Sequence, residues 1–188
     1  MEQDKILAHQ ASLNTKPSLL PPPVGNPPPV ISYPFQITLA SLGTEDAADS
    51  VSIASNSVLA TYTALYRHAQ LKHLKATIHP TYMAPKYPTS VALVWVPANS
   101  TATSTQVLDT YGGLHFCIGG SVNSVKPIDV EANLTNLNPI IKASTTFTDT
   151  PKLLYYSKAQ ATAPTSPTCY LTIQGQIELS SPLLQASS

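Results

Sequence analysis

Apolar and polar residues alternate along much of the chain after residue 33, and a two-residue period is typical of β-strands with one buried face. The segment from Gln70 to His79 predicts a strand of this kind. Its apolar face is Leu74, Ala76 and Ile78, and its polar face is His73, Lys75, Thr77 and His79. The last long segment repeats the pattern. There the apolar face is Cys169, Leu171, Ile173, Ile177 and Leu179, and the polar face is Thr172, Gln174, Gln176 and Glu178.

Shorter segments predict further strands, separated by turn residues. They are Phe35–Leu42, Val91–Val96, Leu114–Ile118, Ile128–Val130, Thr145–Phe147 and Leu153–Ala159. The segment Val91–Val96 is apolar on both faces, as expected of a strand buried between two layers. About eight strands in roughly 150 residues, joined by Pro-rich loops, predict an all-β fold of the sandwich or jelly-roll type.

Helical signals are few in this sequence. The segment Ser57–Leu65 predicts one or two helical turns. A second short helix is predicted to begin at Thr103, because Gln106 three residues later completes a capping-box pattern, and to end at Gly112-Gly113. Neither segment is long enough to change the predicted fold class.

Proline is concentrated in the first 33 residues, at Pro17, Pro21, Pro22, Pro23, Pro27, Pro28 and Pro29. Proline lacks the backbone donor and fixes φ, so this segment favours polyproline conformations and excludes a helix or a central strand. It is either a floppy tail or an arm that becomes ordered against neighbours in an assembly. We therefore predict two parts: a partly disordered arm at residues 1–33 and one folded domain at residues 34–188.

The low charge content of the chain limits which partners it can bind. Charged residues make up 11% of the chain, well below the roughly 25% of typical soluble domains, so other copies or partners are expected to cover neutral surface. Ten basic residues balance ten acidic ones, and Arg67 is the one arginine. A protein that held nucleic acid by phosphate neutralisation alone would need a basic excess. Any nucleic acid is therefore held weakly per subunit, or by other groups.

The compartment is predicted from absent signals and from the cysteines. The N-terminus lacks the basic start and apolar run of a signal peptide, and no stretch approaches the roughly 20 apolar residues of a membrane span. We therefore expect a cytosolic protein with no membrane partner. Cys117 and Cys169 both fall in strand-like segments, and we expect them to be reduced and buried.

Enzymatic motifs are lacking in the sequence. It contains no G-x-S-x-G, Gly-rich phosphate loop, C-x-x-C or H-E-x-x-H pattern. His73 and His79 share a predicted strand face, but six residues separate them by about 20 Å, too far to share a metal. We expect no catalysis, no metal and no small-molecule substrate.

The densest polar cluster is Tyr66-Arg67-His68-Ala69. It is either a strand entrance whose polar tips face water or a contact with RNA. In the second case His68 would become charged as the pH falls toward about 6.5, the usual pKa of histidine. The residues alone leave both interpretations open.

Five motifs stand in a characteristic order. They are Pro34-Phe35-Gln36, Tyr66-Arg67-His68-Ala69, Trp95-Val96-Pro97-Ala98-Asn99-Ser100, Tyr111-Gly112-Gly113 and Thr150-Pro151-Lys152-Leu153-Leu154. In order and spacing, and in total length, the chain resembles the coat proteins of tymoviruses. The resemblance extends from about Pro34 to the C-terminus, and five ordered motifs are more specific than any one of them.

The resemblance implies an eight-stranded antiparallel jelly roll that self-assembles into a T=3 icosahedral shell around a single-stranded, cytosine-rich RNA genome. It implies that the N-terminal arm is ordered differently among quasi-equivalent positions. It also implies that shells can form empty, which suits a neutral chain. The expected locations are the virion and the host cytoplasm. Because the protein has no net charge, polyamines or divalent cations are expected with the RNA, and the protein itself needs no cofactor.

Residue roles follow from the same resemblance. The family's interior histidine matches His68, beside Arg67, and these are the expected RNA contacts. Where related chains carry a second interior histidine near the C-terminus, this chain has Ser180. The family-motif residues are Trp95, Pro97, Asn99, Tyr111, Gly112 and Gly113, and the expected assembly arm contains Pro21, Pro22, Pro23, Pro27, Pro28 and Pro29.

Two other functions fit parts of the sequence. A cytosolic β-sandwich that binds a ligand or acts as an adaptor would explain the strands and the low charge, but it would leave the proline-dense arm and the ordered motifs unexplained. A cupin-like enzyme would need clustered metal ligands, and the histidine spacing does not provide them.

Overall fold

The computed structural model describes residues 29–120, 126–137, 140–143, 146–147 and 150–183 of the 188-residue chain. Most of the described chain is β-strand. The strands are β1 (Val30–Leu42), β2 (Ala47–Ser52), β3 (Tyr66–Pro80), β4 (Thr89–Val96), β5 (Leu114–Ile118), β6 (Ile128–Glu131), β7 (Ile140–Ala143), β8 (Thr146–Phe147), β9 (Lys152–Lys158) and β10 (Cys169–Pro182). One α-helix, α1 (Ser57–Ala64), and two 3₁₀ turns, Ile53–Ser55 and Ser104–Gln106, complete the elements.

The strands form two antiparallel sheets. The six-stranded sheet has the order β1-β10-β3-β7-β8, with β6 also paired to β3, and the four-stranded sheet has the order β2-β9-β4-β5. The chain passes from one sheet to the other between β1 and β2, between β2 and β3, and between β3 and β4. These crossings between two facing sheets confirm the predicted jelly-roll β-sandwich.

The core lies between the sheets and uses the faces that the alternation predicted. On β3, Leu74, Ala76 and Ile78 are buried, and on β10 so are Leu171 and Ile173. The two strands are in antiparallel register, with Ile173 opposite Ala76 and Leu171 opposite Ile78. Burying an aliphatic side chain of this size contributes on the order of 1.5–3 kcal/mol, so β3 and β10 anchor the fold.

The opposite face of β3 and β10 is less exposed than its polarity suggested. Thr77 and Thr172 are buried, although they belong to the predicted polar face. Thr77 Oγ1 donates a hydrogen bond to a carboxylate oxygen of Asp129 on β6 at 2.7 Å. Thr172 Oγ1 lies 3.0 Å from Nε2 of His79 on β3. Neighbouring strands therefore cover the end of this face that lies nearest Pro80.

The two helical predictions have different outcomes. The first is confirmed: α1 begins after Asn56, whose side-chain oxygen accepts hydrogen bonds from the backbone N–H groups of Val58 and Leu59. The second was too long, because the segment after Thr103 makes one 3₁₀ turn and then irregular turns. The predicted cap is partly present, since the Thr103 backbone N–H donates to Gln106 Oε1 at 3.1 Å.

Two strands were not predicted. β2 pairs with β9 and reads Ala-Ala-Asp-Ser-Val-Ser, which has too few apolar residues to show an alternation. β7 pairs with β3 and is four residues long. The first strand begins at Val30 and contains Pro34, which is tolerated because β1 is an edge strand that pairs with β10 alone.

The prediction that both cysteines are buried was wrong for Cys117. Neither cysteine forms a disulfide, but Cys117 is exposed and Cys169 is buried. Cys117 lies on β5, at the edge of the four-stranded sheet, with its side chain outside the core. Burial raises the pKa of the Cys169 thiol to about 11, so this group stays protonated at neutral pH.

The only α-helix in the described ranges, α1, is far too short to cross a bilayer, and no other described segment forms a spanning helix.

Candidate functional site

The candidate RNA-contact residues lie directly after α1, at the start of β3. Arg67 and His68 are both exposed, and the next residue, Ala69, is buried in the core. Successive side chains of a strand point to opposite faces, so Arg67 points to the same side as Ala69 and His68 points away from the core. The structure therefore places the two residues side by side in the chain but on different faces of the sheet end.

His68 pairs across the sheet with Ser180 of β10. Directly opposite residues in an antiparallel pair have Cβ atoms about 4.5–5.5 Å apart, so the two side chains can meet one ligand. A histidine at position 180 would therefore stand next to His68. In this chain position 180 carries the small hydroxyl of Ser180, so the pair contains one imidazole, that of His68.

Trp95 holds the two sheets together. It lies on β4 of the four-stranded sheet, and its indole Nε1–H donates to the backbone carbonyl of Val130 on β6 at 3.1 Å. The ring is half-buried and packs against the main core cluster. Trp95 is thus a core residue and is not exposed at a binding surface.

Pro97 and Asn99 are exposed in the turn that follows β4, where the Ser100 N–H donates to the Pro97 carbonyl at 3.0 Å. Tyr111 is 97% exposed in the loop before β5. Gly112 adopts a φ of +88°, and a Cβ on Gly113 would lie 2.1 Å from the Val107 carbonyl oxygen. The two glycines therefore fix a tight loop that presents the Tyr111 ring to the outside.

The outer face of the six-stranded sheet carries three ion pairs that link β3 to its neighbours. Lys72 pairs with Glu178 of β10 at 3.0 Å. On the other side of β3, His73 Nε2 lies 3.2 Å from Glu131, and Lys75 Nζ lies 2.7 Å from Asp129. The hydrogen bonds from Lys75 and Thr77 hold the pKa of the Asp129 carboxyl below its usual range.

These ion pairs were not predicted from the sequence. The basic residues all lie on β3, and the acidic residues lie on β6 and β10. The sequence shows basic and acidic residues on different predicted strands. Which of them pair can be assigned only when strand order and register are known. Within the described ranges, no three His, Cys, Asp or Glu side chains are grouped so that they could hold a metal ion.

Comparison with known proteins identifies the family. Residues 17–188 match the model of the tymovirus coat protein family. The chain is 64% identical over all 188 residues to the capsid protein of Kennedya yellow mosaic virus (strain Jervis bay), and both chains are fully covered. It is 59% identical to that of Cacao yellow mosaic virus, again over the whole of both chains. The chain belongs to the tymovirus coat protein family.

Solved structures agree with this assignment. An empty-head structure of turnip yellow mosaic virus is 44% identical, with a TM-score of 0.82 and 90% of each chain covered. The tobacco necrosis virus structure has a TM-score of 0.60 at 18% identity, covering 84% of this chain and 97% of that one, and this likeness shows the jelly-roll fold alone. As a tymovirus coat protein, the chain is a capsid protein and its role is structural.

The family motifs are spread over the fold and do not form one site. His68 lies in the six-stranded sheet, Trp95 lies in the four-stranded sheet, and Tyr111 lies in a loop. Of the arm residues predicted to act in assembly, Pro29 is exposed immediately before β1, and Pro21, Pro22, Pro23, Pro27 and Pro28 lie outside the described residues. Their role and the division at residue 33 therefore remain predictions.

Proposed function

We propose that this coat protein assembles in many copies into a T=3 icosahedral shell that encloses a single-stranded RNA genome, in the virion and in the host cytoplasm. It has no catalytic step, no small-molecule substrate and no membrane partner. The full-length identity of 64% to a capsid protein, with no gap in coverage of either chain, is the observation that carries the proposal.

The surface of the single chain supports assembly through protein contacts. Three large apolar side chains are exposed within seven residues of one another: Leu108 and Tyr111 in the loop before β5, and Leu114 at the first residue of β5. Tyrosine is enriched at the energetic centres of protein interfaces. An interface of standard size buries on the order of 1,600 Å², and a shell subunit makes several such contacts. The shell can then be stable without its genome.

Electron microscopy of purified recombinant protein tests the assembly. We expect negative stain to show closed particles of uniform size, including particles that lack the native genome. Image reconstruction should give 180 subunits in three quasi-equivalent environments, the number that T=3 symmetry requires. Gel filtration that shows only monomers from pH 5 to pH 8 would contradict the proposal.

The RNA contact is proposed to be weak for each subunit and to involve Arg67 and His68. The chain has no net charge, so it cannot neutralise a genome by phosphate pairing. Polyamines or divalent cations are proposed to balance the remaining phosphate charge. The position of His68 opposite Ser180 supports a contact through one imidazole.

A substitution at His68 tests this contact. In wild-type particles, raising the pH from about 5.5 to 8 should release RNA before the shell dissociates. His68→Ala particles should form normally and should show little pH dependence of release. RNA release is measured with a dye that fluoresces on nucleic acid, and shell integrity by light scattering. Unchanged pH-dependent release in the variant would remove His68 from the contact.

A further inference from the structure

A shallow groove of about 450 Å³ crosses β1, β10 and β3 on the outer face of the six-stranded sheet. Two rows of side chains form its walls. One row is Pro34, Gln176 and His73, and the other is Gln36, Gln174 and Lys75, each aligned across the three strands by the pairing register. Between the two rows lie Phe35, Gly175 and Leu74. Because successive residues of a strand point to opposite faces, these three place no side chain on the outer face, and they form the floor of the groove.

The walls of this groove offer hydrogen-bond donors and no carboxylate. Three amides, a lysine and an imidazole line it, while Asp129 and Glu131 lie beyond Lys75 and His73 on β6. A lysine ammonium has three donors, and one of those on Lys75 is directed at Asp129, so others remain to meet a second anion.

The dimensions suit a flat ring. Residues two apart on a strand are separated by about 6.7 Å, so the two rows stand about two base-stacking distances of 3.4 Å apart. One wall has a flat surface, because Gln174 Nε2 donates to Gln36 Oε1 at 3.2 Å and joins the two amides. The opposite wall is held by the hydrogen bond from Gln176 to the Ser32 hydroxyl.

We propose that this groove binds one nucleotide of single-stranded RNA, with the base inserted between the two rows and its phosphate near Lys75 and His73. This inference rests on the proposed function, because it presumes that the shell encloses RNA. The glutamine amides meet the polar edge of the base, and the Lys75 ammonium and the His73 imidazole meet the phosphate. The site is distinct from the His68–Ser180 end of the sheet.

Photo-crosslinking in particles tests the proposal. Full-length protein is assembled with single-stranded RNA that contains 4-thiouridine, irradiated at pH 6, and digested for mass spectrometry. Gln176→Glu adds a carboxylate to the groove with almost no change in shape, and Lys75→Gln removes a cation. Asn136→Asp and Lys158→Gln make the same charge changes at exposed positions outside the groove and serve as controls.

We expect crosslinks at the six wall residues in wild-type particles, and a yield lower by roughly two- to fivefold in Gln176→Glu and Lys75→Gln, as for loss of one exposed ionic contact. The controls should match wild type. RNA-filled particles without groove crosslinks would overturn the inference and leave the proposed function intact. Loss of particles with Gln176→Glu alone would also overturn it, because the groove would then be a subunit contact. Wild-type particles that package no RNA would contradict the proposed function itself.

Discussion

At the scale of single residues, Gly175 on β10 lies where its neighbours leave no room for a side chain. A Cβ at this position would lie 2.6 Å from the Phe35 ring and 2.7 Å from the His73 carbonyl oxygen. Both distances are shorter than van der Waals contact, and the carbonyl belongs to the backbone of a central strand, which cannot move cheaply. A side chain is therefore excluded here by its neighbours and not by backbone conformation.

Substitution at Gly175 should consequently lower the stability of the folded protein. We expect Gly175→Ala to lower the free energy of unfolding by about 2–3 kcal/mol, as for overpacking a dense core. Gly112→Ala is the matched control: its φ of +88° costs about 1 kcal/mol, but a Cβ there would meet open space. Adding Phe35→Leu to Gly175→Ala should recover part of the loss. Urea unfolding checks all four proteins, and equal losses at both glycines would contradict the packing explanation.

The ionisation of Asp129 is tied to the fold through its hydrogen bonds with β3. Hydrogen bonds from Lys75 and Thr77 lower the pKa of its carboxyl from the usual value. A carboxyl with a lowered pKa in the folded state stabilises the protein above its unfolded-state pKa, and this contribution is lost as the pH falls through the folded-state value. Because the side chain is 46% exposed, solvent screening limits its contribution.

The Asp129→Asn variant should therefore be less stable than wild type by at most about 1 kcal/mol at pH 7. The difference should shrink once the pH falls below about 4, since wild type then loses the same charge. Urea unfolding at pH 7, 5 and 3 measures it. A difference that grows in acid would show that the Asp129 charge is not what stabilises this strand pair.

At the scale of elements, Trp95 connects strands of different sheets through one polar contact. Trp95→Phe removes the indole N–H and leaves the Val130 carbonyl without its side-chain partner, while the ring volume is largely kept. Val130 is also paired with Ala76 of β3 in the sheet, so we expect a loss of about 0.5–1.5 kcal/mol, the usual net contribution of one hydrogen bond. Thermal unfolding measures the loss. An unchanged midpoint would mean that another donor or water replaces the indole.

The strands predicted from the sequence were those with two-residue alternation of large apolar residues, as in β3 and β10. That pattern records burial, so it identifies the inner face directly. β2 has two alanines and one valine among polar residues, so its sequence shows no alternation. It is a strand because it pairs with β9. The same limit explains Thr77 and Thr172, which are covered by neighbours on a face that alternation assigned to solvent.

The candidate sites were predicted less completely than the fold. His68 was predicted from the sequence as a candidate RNA contact. Its neighbour Ser180 is 112 positions away in the sequence, and only the strand register places the two side by side. The three ion pairs and the groove over Gly175 depend on the same register. A sequence gives the charges of each strand, whereas the strand order decides which of them meet.

At the scale of the whole molecule, low charge and exposed apolar side chains have one common explanation in burial against other copies. The loop before β5 is the clearest example, with Leu108 60% exposed and Tyr111 97% exposed. The loop is also rigid, because Gly113 packs on the Val107 carbonyl and its N–H donates to the Thr110 carbonyl at 2.9 Å. A rigid apolar projection loses little entropy when a neighbour covers it.

Tyr111 should therefore matter for assembly and not for folding. In the single chain its ring contacts little, so Tyr111→Ser should change the free energy of unfolding by less than about 0.5 kcal/mol. In the shell the same change is repeated in every subunit, so a loss of even 1–2 kcal/mol per contact should raise the protein concentration needed for assembly at least fivefold. Tyr111→Phe keeps the ring and should assemble nearly as well as wild type. Light scattering against protein concentration measures the threshold, and a Tyr111→Ser protein that assembles at the wild-type threshold would place this loop outside the subunit contacts.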